Sequence, residues 1–267
     1  MKYSVFYAHA LEAAKQKNLS IDEILGKVKQ MGYSGFEVEY NDKAVDAVET
    51  IRKNDLEIAA FYYFLNSVDE SYREAAEKFF SFAKDSGAKY ALIIPGFIQD
   101  DEDHDKAISR ILEAEKFCVE TGKKYGIQVT MEDFDDRHAP FSTLAGIKYF
   151  LDNIPDLRHA FDSGNYYYSG EDCLRAFELF PEKIAYAHFK DRALTGADNE
   201  LDKLTADGKK MYACPVGEGV IDIRACAENL RKLSYNGWIA IEHFGSANML
   251  DCMQRSIKNV KPLFENV

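Results

Sequence analysis

The chain has 267 residues, 46% of them hydrophobic, and carries 45 acidic against 33 basic side chains for a net charge of -12. That length suffices for one large core, and the negative charge excludes a basic face for nucleic acid or for an anionic membrane. No run of about 18 apolar residues occurs, so no membrane-spanning helix is expected.

The five cysteines, Cys118, Cys173, Cys214, Cys226 and Cys252, are odd in number and widely spaced. They read as reduced thiols of a cytoplasmic protein rather than as a disulfide framework. Ala8-His9-Ala10 loosely mimics a leader cleavage site. The run before it contains Ser4 and two tyrosines, and it reads as a first strand.

That strand spans Tyr3 to Tyr7, and the first helix is expected from Ser20, where Ser20-Ile21-Asp22-Glu23 forms a capping box. Gly35 to Tyr40 is a second strand, Asp42 to Lys53 a helix, Ile58 to Phe64 a third strand, and Glu70 to Ser86 a helix ended by Gly87. Tyr90 to Pro95 is the fourth strand. The acidic loop Asp100 to Asp105 leads into a helix through Tyr125, and Ile127 to Glu132 is the fifth strand. Ser142 to Asn153 is helical, Arg158 to Asp162 is the sixth strand, Glu171 to Leu179 is a helix stopped before Pro181, and Lys183 to His188 is the seventh strand. After a polar segment, Ile221 to Leu233 is helical, Trp238 to Glu242 is the eighth strand and Ala247 to Val260 is the closing helix.

Eight apolar strands alternating with eight helices predict an α/β fold with parallel strands covered by helices, and a single-domain (β/α)8 TIM barrel over residues 1–267 is the simplest closure. The rival, a doubly wound sheet, lacks its glycine-rich phosphate loop after the first strand. The segment from Asp191 to Gly219 is longer than most connections and is expected to be a lid over the site, with a disordered excursion as the alternative.

In such a barrel the C-terminal strand ends form one face, where chemistry is placed. Four consecutive strands end in a candidate ligand: Glu132, Asp162, His188 and Glu242. A strand-ending carboxylate is ordinarily a solvated loop residue, and a lone histidine on an apolar strand is ordinarily hydrogen-bonded core. Recurrence at equivalent positions on four neighbours points instead to one divalent metal ion. Three carboxylates and an imidazole suit Mn²⁺, Mg²⁺ or Co²⁺ and tolerate Zn²⁺.

Further residues are candidates for contact with substrate. Lys190 shares strand parity with His188 and can reach a substrate oxygen or a phosphate. Glu37, near the end of the second strand, can bind a hydroxyl or form a structural ion pair, and His9, just past the first, can line the pocket. His243 should point away from Glu242 and support a ligand from behind. Phe61 to Phe64 and Tyr166 to Tyr168 divide between core packing and a stacking wall for a sugar ring. His104 and His138 are expected to face water, and His159 to be structural.

The segments Met131-Glu132-Asp133-Phe134, Phe161-Asp162-Ser163-Gly164-Asn165, Ala187-His188-Phe189-Lys190-Asp191 and Ile241-Glu242-His243 resemble the sugar phosphate isomerase/epimerase family with the xylose-isomerase-like TIM barrel. Gly32-Tyr33-Ser34-Gly35-Phe36-Glu37 and Gly217-Glu218-Gly219-Val220-Ile221-Asp222 extend the likeness to nearly the whole chain. The resemblance implies that Glu132, Asp162, His188 and Glu242 hold the metal, with Glu132 and Glu242 also serving as an acid/base pair on opposite faces of the reacting carbon. The chain departs from the epimerases at Asn165, where many have a histidine, and at Asp133-Phe134, where they have Pro-Leu. Asn165 can still hydrogen-bond a sugar hydroxyl.

The expectation is therefore a divalent-metal-dependent isomerase or epimerase of a sugar or sugar phosphate that moves a proton through an enediolate. A metal-dependent dehydratase of a cyclitol or keto-sugar is the alternative, because it uses the same intermediate. A nuclease like endonuclease IV would need a zinc cluster and many histidines, whereas this chain has six. A non-catalytic sugar-binding barrel is a third class. The expected partner is a small sugar molecule, with neither nucleic acid nor membrane, and a homo-oligomer is left open.

Overall fold

This computed structural model describes residues 1–68, 70–196 and 199–265. Eight parallel strands close into a barrel: β1 (Lys2–Phe6), β2 (Gly35–Glu39), β3 (Glu57–Phe64), β4 (Tyr90–Ile94), β5 (Gln128–Glu132), β6 (Arg158–Asp162), β7 (Ile184–Lys190) and, last in the chain, β11 (Trp238–Glu242). Each pairs with its sequence neighbour, and β11 pairs with β7 on one side and β1 on the other. Because the strands are covered on both sides by packed groups, their burial is nearly continuous, as in Val129 to Glu132 and Ile239 to Glu242.

The outer layer contains α1 (Tyr7–Lys17), α2 (Ile21–Met31), α3 (Ala44–Lys53), α4 (Tyr72–Asp85), α5 (His104–Tyr125), α6 (Leu144–Asn153), α7 (Ala176–Leu179), α8 (Ile223–Lys232), α9 (Met249–Val260) and α10 (Pro262–Glu265). The capping box at Ser20 is present: Ser20 Oγ accepts from the Glu23 N–H while Glu23 accepts from the Ser20 N–H. Among the described residues no helix is long and apolar enough to cross a membrane.

The structure corrects the sequence reading in three places. A helix, α1, begins directly at Tyr7, where only the strand was expected; Ala8, Ala10, Ala13 and Ala14 are strong helix formers, and Tyr7, Ala10 and Ala13 bury one face. The helix expected from Glu171 to Leu179 is instead a 3-10 turn at Cys173–Arg175 followed by the single-turn α7. The segment 191–219, for which no secondary structure was expected, carries strands. It contains β8 (Arg192–Ala193), β9 (Asp202–Leu204) and β10 (Lys210–Ala213), a small antiparallel sheet ordered β8-β10-β9. Ala197 and Asp198, inside that span, lie outside the described residues.

The neck of this excursion is tied at one side chain. The Asp191 carboxylate accepts the backbone N–H groups of Arg192, Gly217, Gly219 and Ile221 at 2.8–3.0 Å. Gly219 is required there, since a Cβ would run into the Asp191 carboxylate and the Arg192 carbonyl. All five cysteines are free and buried.

Candidate metal centre and substrate cavity

The ladder register explains why the four strand-ending side chains meet. Glu132 lies level with Ala160, Asp162 level with His188, and Lys190 level with Glu242. The ligand-bearing positions therefore climb with the barrel's stagger, and their side chains converge at its C-terminal mouth. Glu132, Asp162, His188 and Glu242 each offer one ligand atom, all within 4.8 Å of one another, and all four residues are buried.

The donors suit a divalent cation. His188 turns Nδ1 into the cluster, 3.0 Å from Glu132 Oε2 and 3.9 Å from both Asp162 Oδ2 and Glu242 Oε2. Its Nε2 donates to Glu37 Oε2 at 3.1 Å, which fixes the ring and its tautomer as metal-binding histidines require. Asp162 Oδ1 accepts the backbone N–H groups of Gly164 and Asn165 at 2.7 and 2.8 Å, while its Oδ2, buried and facing His188, has no hydrogen-bond partner among the described residues. A buried carboxylate oxygen without a donor is costly unless a cation completes it.

The electrostatics agree. Burial raises the Glu132 pKa, partly offset by His188. Burial pushes Asp162 up to about 7, against the pull of Lys190 and with the neighbouring glutamates adding to it. Burial also acts on Glu242, but Lys190 and His188 outweigh it and hold this carboxyl below its usual range. Burial disfavours charge on His188, yet Glu37 and Glu132 raise its pKa well above normal. Three carboxylates crowded in a dry site repel one another, and a metal ion relieves that repulsion.

The cluster opens into a cavity of about 440 Å³. One wall is aromatic, formed by Phe6, Tyr62, Phe64, Phe134 and Phe244; the other is polar, with Asn165, Lys190, Arg192 and Lys203. Lys190 Nζ lies 2.5 Å from Glu242 Oε1 and donates to Asn165 Oδ1 at 2.7 Å, and Asn165 Nδ2 donates to the Asp133 carbonyl. Gly164 permits this approach, because a Cβ there would sit 2.9 Å from Lys190 Cγ and from its carbonyl oxygen.

Not every sequence candidate reaches the cavity. Of the two readings of Glu37, a substrate hydroxyl or a structural ion pair, the structure shows the pair: the residue is fully buried and accepts from His188 Nε2. His9 lies on α1, where its Nε2 accepts the His243 N–H and its ring packs against Phe244 at 4.4 Å, so the early start of α1 turns it away from the cavity. His243 does not support a ligand side chain; its Nε2 meets Ser256 Oγ at 2.6 Å. His159 bonds the Met131 carbonyl and Tyr166. His104 is exposed, and His138 bonds Asp136 and Asp100.

The aromatic run divides by strand alternation. Tyr62 and Phe64 face the cavity, whereas Phe61 and Tyr63 pack on Phe79 of α4. Tyr166 is core, and Tyr168 lies beneath Lys203 at 5.9 Å.

The sequence reading missed Asp133, Asp135, Arg192 and Lys203. Asp133 is fully buried and accepts the Asp162 N–H. Arg192 has the same parity as His188 and Lys190, so strand alternation pointed to it. Lys203 carried no local signal.

Residues 25–263 match the family described as xylose isomerase-like TIM barrel. The chain belongs to that family. Over 86 residues it is 36% identical to the inosose dehydratase of Lacticaseibacillus casei, a match that spans 31% of this chain and 28% of that protein. The inosose dehydratase of Geobacillus kaustophilus is 24% identical over 244 residues, 83% of this chain and 79% of its own. Among solved structures, the IOLI protein with a binding zinc atom superposes with a TM-score of 0.73 at 17% identity, over 100% of this chain and 97% of its own. The D-allulose 3-epimerase from Methylomonas sp. gives 0.75 at 12% identity, over 99% and 97%.

Proposed function

We propose that this chain is a divalent-metal-dependent dehydratase of a cyclitol or keto-sugar. The convergence of Glu132, Asp162, His188 and Glu242, two of which, Glu132 and Glu242, line the cavity, carries the reading. An ion held by these four residues would polarise a substrate carbonyl and the hydroxyl beside it.

The chain's own groups account for the proton movement. Glu132, which ends β5 and lines the cavity, is the base that takes the proton beside the carbonyl. The C–H electrons pass into an enediolate, the β-hydroxyl departs, and with the abstracted proton it leaves as water. Glu242, kept ionised by Lys190, holds the ammonium against the cavity wall, where it offsets the developing negative charge. Asn165 keeps Lys190 in place without titrating. The β8-β10-β9 sheet serves as the lid that limits water.

The inosose dehydratase relatives support loss of water. A second reading, sugar isomerase or epimerase, is favoured by the placement of two glutamates on separate strands, since Glu242 could then return the proton that Glu132 removes. The decisive assay loads the protein in turn with Mn²⁺, Co²⁺, Mg²⁺ and Zn²⁺ and incubates it in D₂O with inososes, ketoses, aldoses and polyhydroxylated keto acids. Deuterium uptake with loss of water is expected by mass spectrometry. Uptake without a loss of water assigns the isomerase reading, and no uptake with any metal refutes both.

A further inference from the structure

Beyond the metal cluster, the polar wall of the cavity concentrates positive charge around Asp135. Arg192 places a terminal guanidinium nitrogen 2.5 Å from Asp135 Oδ2, Lys203 Nζ lies 2.6 Å from Oδ1, and Lys190 Nζ is 3.7 Å away. Lys190 is already matched by Glu242. Arg192 and Lys203 therefore share a single carboxylate, and one positive charge is left over beside the cavity.

The nearby acids do not cancel that surplus. Asp202 is engaged by Lys210 at 3.2 Å, and Glu39, which lines the same cavity, accepts from the Tyr62 hydroxyl rather than pairing with Arg192 or Lys203. Arg192 is buried, and its Nε has no partner among the described residues. Lys203 is half-exposed and reaches in from β9. Asp135 is held down to about 2, with Lys190, Arg192 and Lys203 outweighing the penalty of its burial, so it is ionised throughout the working range. A buried guanidinium with unused donors and an adjacent ammonium is the arrangement that recognises a carboxylate.

We propose that the substrate carries a carboxylate, bound by Arg192 and Lys203 beside Asp135 in the cavity, so that the enzyme acts on a polyhydroxylated keto acid. A surplus of one positive charge matches a monoanion better than a phosphate dianion. The proposal rests on the dehydratase reading for the reaction but not for the binding.

Isothermal titration calorimetry of the metal-loaded protein tests it with D-gluconate, neutral D-glucitol and D-glucitol 6-phosphate as probes. Gluconate should bind at least tenfold more tightly than glucitol, and added NaCl should weaken it. Lys203→Met and Arg192→Gln should each erase that preference while leaving glucitol unchanged. Lys203→Met, at a half-exposed position, keeps the test open if the Arg192 variant misfolds. Equal binding of gluconate and glucitol, no gluconate binding, or a preference that survives undiminished in Lys203→Met would overturn the proposal. Tighter binding of the phosphate ester would overturn the assignment to a carboxylate. Charge-selective binding without deuterium exchange would leave the subsite standing and defeat only the dehydratase reading.

Discussion

His188 works through two nitrogens facing opposite neighbours, Nδ1 toward three carboxylates and Nε2 toward Glu37. Glu37→Gln should lower metal affinity about 10- to 100-fold, read by competition with a chromophoric chelator, while the circular dichroism spectrum stays unchanged. Glu132→Gln should reduce turnover by about 10²- to 10⁴-fold at saturating metal. Retained deuterium exchange in that variant would remove Glu132 as the base. The four strand-ending residues were legible because each stops an apolar run at a group that is costly to bury. Glu37 was legible as a candidate hydroxyl ligand or ion-pair partner but not in its target, because residue pairs 151 positions apart leave no trace in one sequence. Lys203 was invisible for the same reason: its partner Asp135 lies on another element.

Among the elements, α5 contains an acid that serves no visible partner. Glu115 is fully buried, both its carboxylate oxygens lack hydrogen bonds among the described residues, and burial raises its pKa well above the usual value. Between its unfolded and folded pKa values the native state binds the extra proton, so stability falls as pH rises through that window. Glu115→Leu should therefore raise Tm at pH 7.5, by about 2–4 °C for each kcal/mol relieved, and the gain should shrink toward pH 4. A gain independent of pH would assign the effect to packing instead. Element type followed the apolar periods well, and the strands Arg158–Asp162 and Trp238–Glu242 match the sequence reading at both ends. The failures are physical. Tyr7 is aromatic enough to extend a strand yet starts α1, and β8 to β10 are too short and polar for periodicity to register.

At the scale of the whole molecule, the proposed metal cluster joins four strands of one closed ring, so binding of an ion there would be linked to global folding. A divalent ion at about 100 times its Kd should stabilise the fold by about 2.7 kcal/mol, a Tm increase of roughly 5–10 °C that EDTA reverses. An unchanged Tm across Mn²⁺, Co²⁺, Mg²⁺ and Zn²⁺ would count against a metal at this site. The -12 net charge explains why the protein must build its positive patch locally, from side chains brought together inside the cavity.

The four amide groups gathered by Asp191 close the β8-β10-β9 sheet at its base while Lys190 and Glu242 remain part of the barrel. That division makes the sheet a cassette. Descendants of one ancestral barrel could exchange everything between the amides of Arg192 and Gly217, and with it the charge preference for substrate, without redrawing the ion-holding quartet below. Replacing residues 193–213 by a short Gly-Ser bridge should accordingly leave ion affinity within a few-fold of the parent while abolishing discrimination between gluconate and glucitol.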